Sequence, residues 1–146
     1  MIKAYFFDWM GTLGNVVDVM PLGLGKFLGE KNHLLQLTSD IDNSPLSVHD
    51  RELLRRALYD ARFSLYPDSQ EIITRLKGEN KLAIVSNVYP ITPQRIRSLF
   101  PDILSQFDVI TFSSEVGMRK PNLEIFKYTF ERLNRLNGKR ILPGFV

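Results

Sequence analysis

Three side chains lie far apart in the chain but could together handle a small anion: the carboxylate of Asp8, the hydroxyl of Ser86 and the ammonium of Lys120. A carboxylate can serve as a nucleophile or as a ligand for a hard cation. A hydroxyl beside a backbone N–H can hold an anionic oxygen, and a lysine can offset the charge that gathers there. Each also has a plain structural role open to it. Asp8 could cap a turn, Ser86 could cap a helix, and Lys120 could be a solvated loop residue before Pro121. All three, however, come just after short apolar runs, and that shared placement favours one common site.

The apolar runs are Ile2–Phe7, Leu82–Val85 and Phe107–Phe112, each short and mainly aliphatic or aromatic, with Lys3, Asp108 and Thr111 as the polar exceptions. They read as buried strands. Helical patterns follow them. Pro67 to Glu71 opens a helix with Ile72, Ile73 and Leu76 inward and Gly78 as its stop. Thr92-Pro93 opens a second, with Ile96, Leu99 and Phe100 on its apolar face. Pro121 opens the longest, with Ile125, Phe126, Phe130, Leu133 and Leu136 inward and Gly138 at its end. Strand-helix alternation of this kind predicts an α/β fold, a Rossmann-like parallel sheet sandwiched by helices. In such a sheet ligands bind at the C-terminal strand ends, where Asp8, Ser86 and the loop carrying Lys120 converge. Gly14 to about Leu65 breaks the alternation. Its best-formed element is a helix from about Val48 to Phe63, with Ser47 and Asp50 as a capping box and Leu53, Leu54, Ala57, Leu58 and Ala61 on one face. The expected organisation is therefore an α/β core of residues 1–14 and 66–146 with a small helical cap insertion over 15–65.

Composition narrows the function classes. The chain has 146 residues, 44% of them hydrophobic and 24% charged, enough for one ordinary globular domain. A formal charge of +3 spread along the sequence can attract a small anion but does not form a nucleic-acid patch. With no cysteine, disulfides, thiolate metal sites and cysteine nucleophiles are excluded. No apolar run approaches the roughly 18 residues of a membrane span, and the N-terminus lacks a signal-peptide pattern. A soluble cytoplasmic protein without nucleic-acid or membrane partners is the expectation.

The segments Phe7-Asp8-Trp9-Met10-Gly11-Thr12-Leu13, Ile84-Val85-Ser86-Asn87 and Ser114-Glu115-Val116-Gly117-Met118-Arg119-Lys120-Pro121 resemble, in order and spacing, the first three motifs of the haloacid dehalogenase (HAD) superfamily of hydrolases. The insertion between the first two lies where that family carries its cap. The resemblance implies a phosphatase acting on a small phosphorylated metabolite, with the departures given below expected to make its activity weak or conditional. Asp8 would be the nucleophile that forms an aspartyl-phosphate and Lys120 the charge-stabilising catalytic partner. Ser86, Asn87, Gly11 and Thr12 would surround the phosphate. Mg²⁺ would take the Asp8 carboxylate and the Met10 main-chain carbonyl, and the cap would choose the substrate.

Two departures from the family pattern qualify this. Phosphatases of the family usually carry a second aspartate at the position of Met10, as the acid for the leaving group, and a thioether cannot replace it. The fourth motif, an acidic pair after a further strand, is not found in Gly138–Val146, which implies a C-terminally truncated core and a weakly held metal. The missing strand would leave residues 2–7 at an open sheet edge, inviting homo-oligomer formation. Three alternatives follow. One is a catalytically impaired homologue with a binding role. Another is a dehalogenase, and a third is a phosphonate-cleaving enzyme, suggested by Trp9 and requiring a cap lysine such as Lys26 or Lys31. His33 and His49 in the insertion read as surface residues.

Overall fold

A computed structural model describes residues 2–17, 39–137 and 142–145. Lys26, Lys31 and His33 lie outside the described residues. Among the described residues the main sheet has four parallel strands in the order β5-β4-β1-β6: β1 Lys3–Phe7, β4 Lys81–Ser86, β5 Val109–Phe112 and β6 Leu142–Phe145. A second, two-stranded antiparallel sheet pairs β2 (Gly14–Val17) with β3 (Arg62–Leu65). The helices are α1 (Val48–Asp60), α2 (Ser69–Lys77), α3 (Thr92–Leu99), α4 (Pro101–Leu104), α5 (Ser113–Val116) and α6 (Leu123–Asn137).

Alternation along the strands builds two cores. On one face Ala4 and Phe6 of β1, Ala83 and Val85 of β4 and Val109 of β5 meet Ile125 and Leu133 of α6. On the other, Phe7, Leu82, Ile84 and Phe112 pack with Ile73 of α2, Ile96 of α3, Ile103 and Leu104 of α4 and Leu54 and Leu58 of α1. The strands therefore read as continuous apolar runs because both faces are covered. Alanines at 4 and 83 leave the α6 face shallow, and the buried Thr129 hydroxyl there lies 2.8 Å from both the Thr111 hydroxyl and the Ile125 carbonyl. Ile41, Leu54, Leu58, Ala61 and Phe63 of the inserted segment share the core of Phe7 and Trp9.

Several expectations are corrected. The first strand is not an open edge. β6 pairs parallel with it, Lys3 to Leu142 through Phe6 to Phe145. Proline is tolerated at sheet edges, which is where Pro143 sits. The argument for self-association through β1 therefore loses its basis. The helix expected from Val48 to Phe63 ends at Asp60, and Arg62–Leu65 leaves it as a strand. Ser47 does cap α1, its hydroxyl accepting from the Asp50 N–H at 3.1 Å. Ile72, Leu99 and Leu136, expected inward, are exposed at 42%, 47% and 65%.

The end of the sheet remote from the site is pinned by Asp108, just before β5. Its carboxylate accepts from the Leu82 N–H at 2.9 Å and pairs with Lys77 and Lys81 at 2.9 and 3.4 Å. Burial pushes this carboxyl up, but the Leu82 amide and the two lysines outweigh it and hold it below its ordinary value of 3.8. A depressed folded value contributes stability that is present above the unfolded pKa and is lost as pH falls through the folded one. Asp108→Asn is thus expected to cost about 1–3 kcal/mol at pH 7. In urea titrations the gap from wild type should close as pH drops below 3.8. A gap that persists unchanged into acid would refute this electrostatic origin.

Candidate active site

β1 is the strand at which the sheet order reverses: β4 and β5 extend to one side, and the chain returns to lay β6 on the other. Its C-terminal end is the expected ligand position in an open α/β sheet. Asp8 sits there. Its Oδ1 accepts from the Ser86 hydroxyl at 2.7 Å and the Trp9 N–H at 2.8 Å, and lies 3.1 Å from Lys120 Nζ. One carboxylate oxygen therefore collects three donors and fixes how the group faces the crevice.

The turn after Asp8 is built from backbone. The Trp9 carbonyl accepts from the N–H groups of Thr12, Leu13 and Gly14 at 3.0–3.2 Å, and the Gly11 N–H donates to the Gly14 carbonyl at 2.8 Å. Gly11 adopts φ 80°, in the left-handed region where a Cβ is costly. Gly14 is closed to side chains for a different reason: a Cβ there would fall 2.6 Å from the Ser64 carbonyl oxygen of the paired strand. The Leu13 carbonyl is held by the Ser69 hydroxyl at 2.7 Å. The Trp9 ring turns away from the site. It is fully buried, 5.6 Å from the Phe100 ring centroid, so only its backbone serves Asp8.

The loops after β4 and β5 are tied to each other. The Asn87 side chain accepts from the Lys120 N–H at 2.8 Å and donates to the Lys120 carbonyl at 2.9 Å, while the Val88 N–H donates to the Ser113 hydroxyl at 3.0 Å. Beside them opens a cavity of about 240 Å³ whose walls include Asp40, Asp42, Tyr89, Ser114, Met118 and Arg119. Two ion pairs rim it. Asp40 meets Arg119 at 2.9 Å, and Asp42 meets Arg55 at 2.5 Å, with Arg55 Nε donating to the Tyr89 hydroxyl at 3.0 Å. The hydrogen bond from Arg55 holds the Asp42 carboxyl below its usual range despite some desolvation. Both carboxylates on this wall are already partnered, so the cavity carries little unbalanced charge.

A family model described as haloacid dehalogenase-like hydrolase matches residues 14–142. The chain belongs to this family. Among curated relatives of this HAD chain, an uncharacterised hydrolase of Schizosaccharomyces pombe is 35% identical over 85 residues, 56% of this chain and 36% of that protein. The pyrimidine 5'-nucleotidase YjjG of Escherichia coli is 29% identical over 76 residues, 52% of this chain and 33% of that one. The chain thus spans about a third of the length of these relatives. The magnesium-bound HAD hydrolase YfnB of Bacillus subtilis superposes with a TM-score of 0.60 at 18% identity, over 97% of this chain and 77% of that structure, a likeness of fold.

The HAD fold brings Asp8, Ser86 and Lys120 into direct contact, as their positions at the strand ends predicted. Gly11 and Thr12 form the adjoining turn, Thr12 through its backbone N–H. The Asn87 side chain is engaged with Lys120, a pairing that sequence spacing did not reveal. Two other acids near the sheet have partners of their own. Asp108 is at the opposite end of the sheet, and Glu115 forms a two-pronged pair with Arg97, 2.9 Å at its longer contact. His49 is exposed.

The donor set suits a hard cation in kind. The contacts of Asp8 fall on Oδ1, and the Met10 carbonyl is a neutral oxygen two residues on. Among the described residues no group of three acidic or histidine side chains gathers around it. That is compatible with Mg²⁺, which keeps several waters and takes one or two carboxylates together with substrate phosphate.

Proposed function

We propose that this HAD hydrolase is a Mg²⁺-dependent phosphatase for a small phosphorylated metabolite, working through an aspartyl-phosphate on Asp8. The observation that carries this reading is the single carboxylate at the end of β1 held by a hydroxyl and an ammonium, at 2.7 and 3.1 Å. In the first step a carboxylate oxygen of Asp8 attacks phosphorus and the ester P–O bond breaks, with solvent supplying the leaving oxygen's proton. In the second, water attacks the same phosphorus, releasing inorganic phosphate and restoring the carboxylate. Ser86 and Lys120 hold charge on the phosphoryl oxygens throughout. Magnesium, held weakly by Asp8 and the Met10 carbonyl, would supply further positive charge there.

A cavity of about 240 Å³ lies beside the loops after β4 and β5, and Asp8, Ser86 and Lys120 are not among its lining residues. The nucleotidase activity named for YjjG is in keeping with a phosphate monoester. Residues 15–65 would act as the cap over this space, and a cytoplasmic location belongs to the same reading. Among the described residues no helix is long and apolar enough to cross a membrane.

Hydrolysis of an activated aryl phosphate with Mg²⁺, compared between wild type and Asp8→Asn, tests the proposal. Equal rates would refute it. They would favour the second reading, an impaired HAD homologue with a binding role, for which the thioether of Met10 is the specific motive. Halide release from a 2-haloacid without metal would point to a dehalogenase instead.

A further inference from the structure

We infer that the side chain of Asn87 is a positioning residue that acts through Lys120, joining the two phosphoryl-facing loops into one preassembled unit. The inference rests on the reading of Lys120 given above. Asn87 directly follows Ser86, whose hydroxyl touches Asp8 at 2.7 Å. The carboxamide of Asn87 then reaches across a separation of 33 residues and engages both backbone groups of Lys120, its oxygen accepting at 2.8 Å and its nitrogen donating at 2.9 Å. This reproduces, with a side chain, the paired donor and acceptor of a β-ladder. Lys120 is thereby fixed at two points, its backbone by Asn87 and its ammonium by Asp8.

The physical need is clear. A lysine head group is a point charge on a flexible four-carbon stem, which loses rotamer entropy when held. Charge that is pre-aimed stabilises a developing phosphoryl charge without reorganising at the moment of reaction. Lys120 lies on an irregular loop between α5 and α6, where no helix or strand ladder would fix it. The clasp supplies that order. The Val88–Ser113 hydrogen bond, one residue further along, joins the same loops but does not touch residue 120. With its oxygen and one N–H committed to Lys120, the Asn87 side chain serves the anion through the lysine rather than by direct contact.

A double-mutant cycle separates these roles. Inorganic phosphate is titrated calorimetrically, in the presence of Mg²⁺, into wild type, Asn87→Ala, Lys120→Ala and the double variant, each checked by circular dichroism and its unfolding midpoint. Asn87→Ala is expected to weaken phosphate binding about ten-fold, a coupling of ordinary size for residues in contact. In the Lys120→Ala background the same change should have less than about a two-fold effect, because the lysine through which it acts is gone. A purely structural role would lower the midpoint alike in both backgrounds without producing that coupling. Equal weakening in both backgrounds would overturn the inference by showing that Asn87 meets the anion on its own. Full affinity in Asn87→Ala would overturn it as well. If Lys120→Ala leaves phosphate affinity intact, the role assigned to Lys120 fails and the inference fails with it. If Lys120→Ala weakens binding but the cycle is additive, only the inference fails.

Discussion

Asp8→Asn is expected to lower kcat on an activated aryl phosphate with Mg²⁺ by about a thousand-fold or more, because removing a covalent nucleophile costs on that scale or beyond. The substitution is nearly isosteric. An amide oxygen at the same position can still accept from the Ser86 hydroxyl and the Trp9 N–H, now 2.7 and 2.8 Å from Oδ1. A neutral amide gives up only the charge pairing with Lys120, in which the two side chains are 25% and 37% exposed. Ion pairs that open to water contribute at most about 1 kcal/mol. The unfolding midpoint should therefore move little while turnover collapses. This separation of effects makes the variant decisive. Trapping provides the second readout: wild type quenched in acid should retain phosphate on the protein and Asp8→Asn should not. Phosphate bound covalently to the variant would mean that the nucleophile lies elsewhere.

The site was legible in the sequence to the extent that it depends on strand ends. Asp8 and Ser86 each follow an apolar run closely, and Lys120 occupies the loop after a third, so a parallel sheet had to bring their loops to one edge. The two-faced burial of β1 and β4 was equally readable, because a strand covered on both sides has no polar positions to spare. What stayed hidden depends on pairing over distance. β2 and β3 have only four residues each, and Gly14 finds Leu65 across the whole insertion, so no local period announces the ribbon. Leu54, Leu58 and Ala61 fall at helical spacing, which carried the expected helix past Asp60, although Phe63 reaches the same core from a strand. β6 contains Pro143 and Gly144, poor strand formers, and owes its place to the open side of β1. Ile72, Leu99 and Leu136 match the helical apolar spacing yet stand exposed, because sequence spacing does not say which residues of a stripe a neighbouring element covers. The Asn87 clasp and the Asp40–Arg119 pair bridge loops far apart in sequence and leave no motif of their own.

Met10→Asp is expected to raise kcat on a phosphate ester with a poor leaving group, such as an alkyl phosphate, by about 10²–10⁴-fold, the usual contribution of a positioned general acid. The gain should be much smaller on an aryl phosphate whose leaving group departs without a proton. Position 10 lies in the turn that follows Asp8, half-buried and packed against the core of Phe7 and Trp9, so the substitution gives up some apolar packing while the backbone bridge to Gly14 that holds the turn is kept. A new carboxylate two residues from Asp8 would also repel it, and like charges that share a site raise one pKa. Asp8 keeps the Ser86 hydroxyl, the Trp9 N–H and Lys120 as partners, so the new carboxylate is the one expected to hold a proton for the leaving oxygen, and the activity gained should decline as pH rises. The leaving-group dependence and the pH dependence must appear together. A uniform gain across leaving groups would mean that the substitution improves metal binding rather than proton transfer. No gain on any ester, with the fold intact, would mean that Met10 does not stand where a leaving group departs.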